Sequence, residues 1–186
     1  MFIQTQDTPN PATLKFIPGV RVMTDGTADF ADASQSERSP LAHRLFAIDG
    51  VSGVFLGGDF ITVTKTAGEW HHLKPSILGA IMEHFTSGQP VIADDGMAVD
   101  DKAAPEVREE DRAVVDQIIE LIDTRVRPAV AQDGGDIVFH GFEDGIVYLQ
   151  MQGACAGCPS STMTLKHGIE NLLRHFLPEV TEVRPV

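Results

Sequence analysis

Gly153-Ala154-Cys155-Ala156-Gly157-Cys158-Pro159-Ser160-Ser161 lies between an alternating apolar segment and a helical one, and it holds the two cysteines of the 186-residue chain. The order strand, C-x2-C, helix decides the fold of this half of the sequence. A thioredoxin-like dithiol also places C-x2-C between a strand and a helix. Only 28 residues follow Cys158, room for one helix and one short strand. A thioredoxin fold needs more chain there, so that reading is set aside. What remains is half of a four-thiolate site. A lone C-x2-C either closes a small disulfide or offers two soft ligands to a metal centre completed by another molecule.

The loop reads as one built to present thiolates. Gly153 and Gly157 let the backbone come close, Pro159 presets the first helical turn, and Ser160 or Ser161 serves as cap. A helix start facing the sulfurs is expected to lower the thiol pKa. Cys155 and Cys158 could instead be ordinary buried small residues; against that reading, a Gly- and Pro-flanked loop at a helix start is expected to be exposed. Zinc would need two further ligands. His140 and His167 are the nearest histidines in sequence, and neither has paired ligand spacing. His43, His71, His72, His84 and His175 likewise lack a partner pattern, and Trp70 beside His71 reads as packing at a helix start. A [4Fe–4S] cluster takes four cysteine thiolates, which two copies of this chain would supply across a two-fold axis. On the residues alone this ranks narrowly above zinc, and a [2Fe–2S] cluster accepts the same four ligands.

Outward from the loop, residues 110–186 read as an α+β domain. A helix from Glu110 buries Val114, Ile118, Ile122 and Val126, with Pro128 expected to shorten or bend its end. Gly134-Gly135 turns the chain into a hairpin, Ile137 to Phe142 and Ile146 to Gln152, joined through Glu143-Asp144-Gly145. Val147, Leu149 and Met151 alternate towards one face. After the cysteines a helix from Ser161 to His175 carries Leu165, Ile169, Leu172 and Phe176 at helical spacing. Val180 to Val183 supplies a last strand.

Residues 1–92 read as a second α+β domain. Leu14-Lys15-Phe16-Ile17 is a strand closed by Pro18-Gly19, and Ser39-Pro40 opens a helix through Ala47. Val51 to Leu56 and Asp59 to Thr66 pair around Gly57-Gly58. A helix from His71 to Thr86 aligns Leu73, Ile77, Ile81 and Phe85, and Gly88 and Pro90 stop it. Between the domains, residues 93–109 read as an acidic flexible linker. From Asp94 to Arg112 eight acids stand against three bases, with few large apolar residues. The fold class is thus two small α+β domains on a flexible tether.

Composition removes several function classes. A formal charge of −13 with 14 scattered Lys and Arg argues against nucleic acid. No apolar run approaches the ~20 residues of a membrane span. The first residues, Met1-Phe2-Ile3-Gln4-Thr5-Gln6-Asp7, resemble neither a secretory signal nor an organellar leader. A reducing interior such as bacterial cytoplasm is expected, with a processed mitochondrial form as the alternative. No nucleophile–base pair, nucleotide loop or acid/base carboxylate pair stands out, so the chain is not expected to be an enzyme.

Asp133-Gly134-Gly135-Asp136 followed by the cysteine loop and Thr162 resembles the C-terminal domain of NifU-like (Nfu-type) iron–sulfur proteins. Three stretches of the first domain resemble the Nfu N-terminal domain. They are Thr5-Gln6-Asp7-Thr8-Pro9-Asn10-Pro11-Ala12-Thr13-Leu14-Lys15-Phe16, Asp59-Phe60-Ile61-Thr62-Val63-Thr64-Lys65, and Trp70 to Ile81 with Leu73-Lys74-Pro75. The resemblance implies an iron–sulfur cluster carrier or scaffold, a homodimer or higher homo-oligomer that binds [4Fe–4S] between subunits. Cys155 and Cys158 inherit the ligand role, while Gly134, Gly135 and Asp136 form a turn that positions the loop. Its implied partners are upstream cluster-assembly proteins and apo iron–sulfur client proteins. The first domain, with Thr8-Pro9-Asn10-Pro11 extended at its surface, is expected to contact clients. A dithiol redox protein using the same two cysteines is the alternative.

Overall fold

Ile61-Thr62-Val63-Thr64 sends Ile61 and Val63 to one side of a strand and the threonines to the other, and this strand becomes the middle of a sheet. The computed structural model describes residues 1–93, 107–156 and 159–186. The chain divides into two units, residues 1–99 and 100–186, each with its own hydrophobic cluster. Each unit combines one sheet with helices, which is the α+β class expected from the sequence. Residues 94–106, the greater part of the expected acidic linker, lie outside the described residues.

The first unit contains β1 (Gln4–Asp7), β2 (Thr13–Ile17), β3 (Ala28–Phe30), β4 (Val51–Leu56) and β5 (Ile61–Lys65), with α1 (Pro40–Phe46) and α2 (Trp70–Ser87). The strands order as β1-β2-β5-β4-β3 with antiparallel neighbours throughout. Leu14, Phe16, Val54, Leu56, Ile61 and Val63 meet Leu41, Leu45, Leu73, Ile77 and Ile81 in the core. Ser39 caps α1 as expected, its hydroxyl oxygen accepting the Ala42 N–H at 3.1 Å. The Thr8–Pro11 stretch is not extended. Thr8 Oγ1 lies 2.9 Å from the carbonyls of both Asn10 and Thr13, and Asn10 Oδ1 accepts the Ala12 N–H at 3.0 Å. Trp70 closes this loop from α2 by donating its Nε1–H to the Pro11 carbonyl at 3.1 Å.

On α2 the fourth buried position belongs to His84, where Phe85 was expected. Three successive four-residue steps would drift about 40° each from the 3.6-residue period, so the stripe closes with a three-residue step. His84 is fully buried, and neither ring nitrogen has a hydrogen-bond partner among the described residues. Burial first, and Arg44 on α1 second, hold its pKa below the ordinary value of 6.5. Arg44 itself pairs with Glu83 at 2.9 Å. The folded chain therefore favours neutral His84. Its contribution to stability is complete above about pH 6.5 and is lost as pH falls below that value. Trp70 is the chain's one tryptophan, so its fluorescence reports melting of this unit. The melting temperature should drop between pH 7 and pH 5, and His84→Phe should flatten that slope; an equal slope in the variant would contradict the assignment.

The second unit contains α3 (Arg112–Leu121), a π-helical turn (Ile122–Val126), α4 (Arg127–Gln132), β6 (Gly135–Glu143), β7 (Ile146–Gly153), α5 (Pro159–Phe176) and β8 (Glu182–Pro185). β7 is central, antiparallel to β6 and parallel to β8. The expected hairpin closes through Asp144 and Gly145, both at positive φ (49° and 82°), the two-residue turn whose twist matches paired strands. Val147, Leu149 and Met151 point into the core as their alternation requires.

Two helical seams differ by one residue from expectation. Val115 is buried where Val114 was expected. On α5 the buried positions are Ile169 and Leu173, followed by Leu177 beyond its end, while Leu165 and Leu172 flank the cluster. Leu172-Leu173 and Phe176-Leu177 are adjacent apolar pairs, so helical spacing alone allowed either member to face the sheet. Phe176 remains 46% exposed, with the Arg125 guanidinium 5.1 Å from its ring centre. Pro128 does not end the helix. The Arg127 N–H bonds the carbonyl of Ile122, five residues back. This wider turn lets the helix continue past a residue that lacks an N–H.

Candidate metal centre

β7 ends at Gly153 and α5 begins at Pro159, so the connecting loop carries both cysteines. Gly157 and Cys158 lie outside the described residues. Three hydrogen bonds hold the described part of the loop. The Ala154 N–H donates to the Gly134 carbonyl at 3.2 Å, and the Ala156 N–H to that of Gly153 at 3.1 Å. From the first turn of α5, Thr162 Oγ1 donates to the Cys155 carbonyl at 3.1 Å.

The Cys155 thiol, free of any disulfide, packs into the unit's core and is only 6% exposed. The expectation of an exposed loop fails at this residue, and Gly135 is the reason. A Cβ built on Gly135 would stand 2.8 Å from the Cys155 sulfur, 3.2 Å from its nitrogen and 2.6 Å from the Gln152 carbonyl oxygen. Only a residue without a side chain lets the thiol fold down onto β6. The expected lowering of the thiol pKa also fails for Cys155. Burial, with the Asp133 and Asp136 carboxylates nearby, pushes it up to about 11. Desolvation first, and like charge second, disfavour the thiolate. A metal bound here must therefore displace a proton from Cys155.

Asp136 is buried at 4% exposure and fastened by Arg127. Arg127 Nε donates to Oδ1 at 2.9 Å and Nη2 to Oδ2 at 2.8 Å, a two-pronged pair. The same carboxylate accepts its neighbour's N–H, from Ile137, at 2.8 Å. Arg127 also reaches Asp123 one helical turn earlier, at 3.2 Å. The Asp136 hydrogen bonds are the main reason the guanidinium stays firmly charged.

Of the expected turn Gly134-Gly135-Asp136, Gly134 alone turns the chain, while Gly135 and Asp136 open β6 and lie against the described part of the cysteine loop. Arg127 was not singled out from the sequence, and Thr162 was named there only as part of the resemblance, without this contact. Arg127 sits 28 residues before Cys155 on another element, and the visible signal was an Arg beside an Asp one turn earlier, a pattern common on any exposed helix. Among the described residues no histidine belongs to a group of three or more side chains that could hold a metal ion. His140 Nε2 lies 2.9 Å from Gln150 Oε1, and His167 is exposed on α5.

Cys155 offers one soft sulfur donor, seated against Gly135 beside the apolar core, and among the described residues no group of three or more His, Cys, Asp or Glu could hold a metal ion. Residues 3–88 match the family model described as "Scaffold protein Nfu/NifU N terminal", and residues 118–184 match the "NifU-like domain". A human protein described as "NFU1 iron-sulfur cluster scaffold homolog, mitochondrial" is 52% identical over 188 residues, 100% of this chain and 72% of that protein. Proteins of the same description from Drosophila sechellia and Drosophila virilis are 52% and 53% identical over 100% of this chain. The chain spans 65% and 62% of their lengths. Among solved structures, the solution NMR structure of a NifU-like protein from Saccharomyces cerevisiae aligns with a TM-score of 0.46 at 25% identity. That alignment covers 51% of this chain and 87% of the yeast chain.

Proposed function

The chain belongs to the Nfu/NifU scaffold family, and on that premise we propose that it carries an iron–sulfur cluster between two copies of itself, with Cys155 and Cys158 of each copy as ligands. The observation that carries the proposal is the strand–C-x2-C–helix loop whose first thiol is seated against Gly135. One chain supplies two thiolates where a cluster takes four. The cluster is cargo, received from upstream assembly proteins and passed to apo iron–sulfur client proteins, so the role is carriage and not catalysis. [4Fe–4S] is the proposed form.

The burial of Cys155 shapes what this site does. A sulfur sheltered from water protects its metal bond, while the proton it must lose on loading ties uptake to pH. The first unit is proposed to meet clients. The named relatives are mitochondrial by description, which favours the organellar alternative over bacterial cytoplasm; both interiors keep thiols reduced. No helix among the described residues is long and apolar enough to cross a membrane.

Anaerobic reconstitution with ferrous iron and sulfide tests the reading. The expected product is brown, with broad absorption near ~400 nm and about four iron and four sulfide per two chains. A colourless product whose two thiols cycle as a disulfide would contradict it and support the dithiol alternative.

A further inference from the structure

We infer that Arg127 is a positioning residue for the cluster site, acting through Asp136 to hold the backbone floor on which Cys155 rests. This rests on the proposed function above. Three consecutive residues form that floor, each with a separate task. The Gly134 carbonyl accepts the Ala154 N–H. Gly135 leaves the space that the Cys155 sulfur occupies. The Asp136 carboxylate, buried in the sheet, takes both prongs of Arg127.

The first two tasks depend on where the start of β6 lies, and the third fixes it. A planar guanidinium grips a carboxylate at two points and so sets its direction as well as its distance. Lysine would keep the charge and lose that direction. The π-helical turn before Arg127 belongs to the same device. With its N–H bonded to Ile122 five residues back, the helix is offset by a residue relative to a regular α-helix. Val126 and Val130 face the core on either side of this offset, while Arg127 reaches the strand. Asp123 steadies the outer edge of the guanidinium. Arg127 acts on the thiol's seat through Asp136.

The test uses the full-length chain in three forms: wild type, Arg127→Lys, and the double variant Arg127→Met/Asp136→Asn, which leaves no unpaired buried charge if the lysine form folds poorly. Two quantities are read. The first is the alkylation rate of Cys155 by iodoacetamide in metal-free protein, resolved by peptide mass spectrometry. The second is the rate at which reconstituted protein loses its visible absorption to a chelator, with the visible circular dichroism of the cluster recorded alongside. Outer partners of metal ligands typically change affinity ~10- to 100-fold. Cys155 alkylation in Arg127→Lys, which keeps the Asp136 charge, and cluster release in both variants should therefore rise about tenfold or more, with an altered visible dichroism and unchanged far-ultraviolet spectra. Wild-type rates and dichroism in both variants would overturn the inference. Faster alkylation in Arg127→Lys, in a chain that takes up no iron, would support Arg127 as the positioner of Cys155 and remove the cluster reading instead.

Discussion

Cys155→Ser, reconstituted anaerobically beside the wild type, should remain colourless and keep less than about a tenth of the iron. In a symmetric pair one substitution deletes two of the four ligands, because both copies carry it. A serine hydroxyl does not replace a soft thiolate at iron. Cys158→Ser should have the same effect for the same reason. The fold should survive, because the second unit's core rests on the seam of Ile118, Ile122, Val147, Leu149, Ile169 and Leu173. A buried hydroxyl in place of the thiol costs about 1–3 kcal/mol, which matters to the melting temperature and leaves the far-ultraviolet spectrum in place. Iron retained at wild-type levels in either variant would refute the ligand assignment.

Gly135→Ala should be nearly as damaging to the cluster, by a different route. The added methyl would meet the Gln152 carbonyl oxygen at 2.6 Å and the Cys155 sulfur at 2.8 Å. One of those neighbours is backbone of β7, paired with β6 through Asp136–Gln152 and Gly135–Gly153, so it cannot swing aside as a flexible side chain would. Either the strands part or the thiol is expelled from its seat. Overpacking of this kind costs about 1–3 kcal/mol, which for a domain of this size lowers the melting temperature by roughly 10 °C. Reconstituted cluster should bleach faster in air than in the wild type. A variant with wild-type melting and wild-type cluster lifetime would show that Gly135 does not set the thiol's place.

Much of the architecture was legible because its elements announce themselves with local chemistry. Ser39-Pro40 marks a helix start, Glu143-Asp144-Gly145 a hairpin and Ile61-Thr62-Val63-Thr64 a strand, and each is observed, with Glu143 drawn into β6 and Thr62 as buried as its apolar neighbours. β1 (Gln4–Asp7) and β3 (Ala28–Phe30) were not legible. The first is polar and largely exposed, and the second has three residues; both are edge strands fixed by pairing with a neighbour. The choice between Leu172 and Leu173 as core residues was likewise tertiary, since periodicity tolerates either.

At the candidate metal centre, the cysteine spacing was local and therefore readable. The environment of the first cysteine was not. Its burial and raised pKa come from Gly135 and from the carboxylates of Asp133 and Asp136. These residues approach Cys155 only because β6 pairs with β7. A helix start in sequence suggests an activated thiolate; burial against the strand beneath, with two carboxylates nearby, pushes the Cys155 thiol up instead.

Native mass spectrometry of the full chain, reconstituted under anaerobic conditions, bears most directly on whether a cluster is shared between two copies. The expected species has the mass of two chains and one intact iron–sulfur cluster, falling apart to cluster-free single chains when the cluster is removed. A single chain that retains a complete cluster would contradict it.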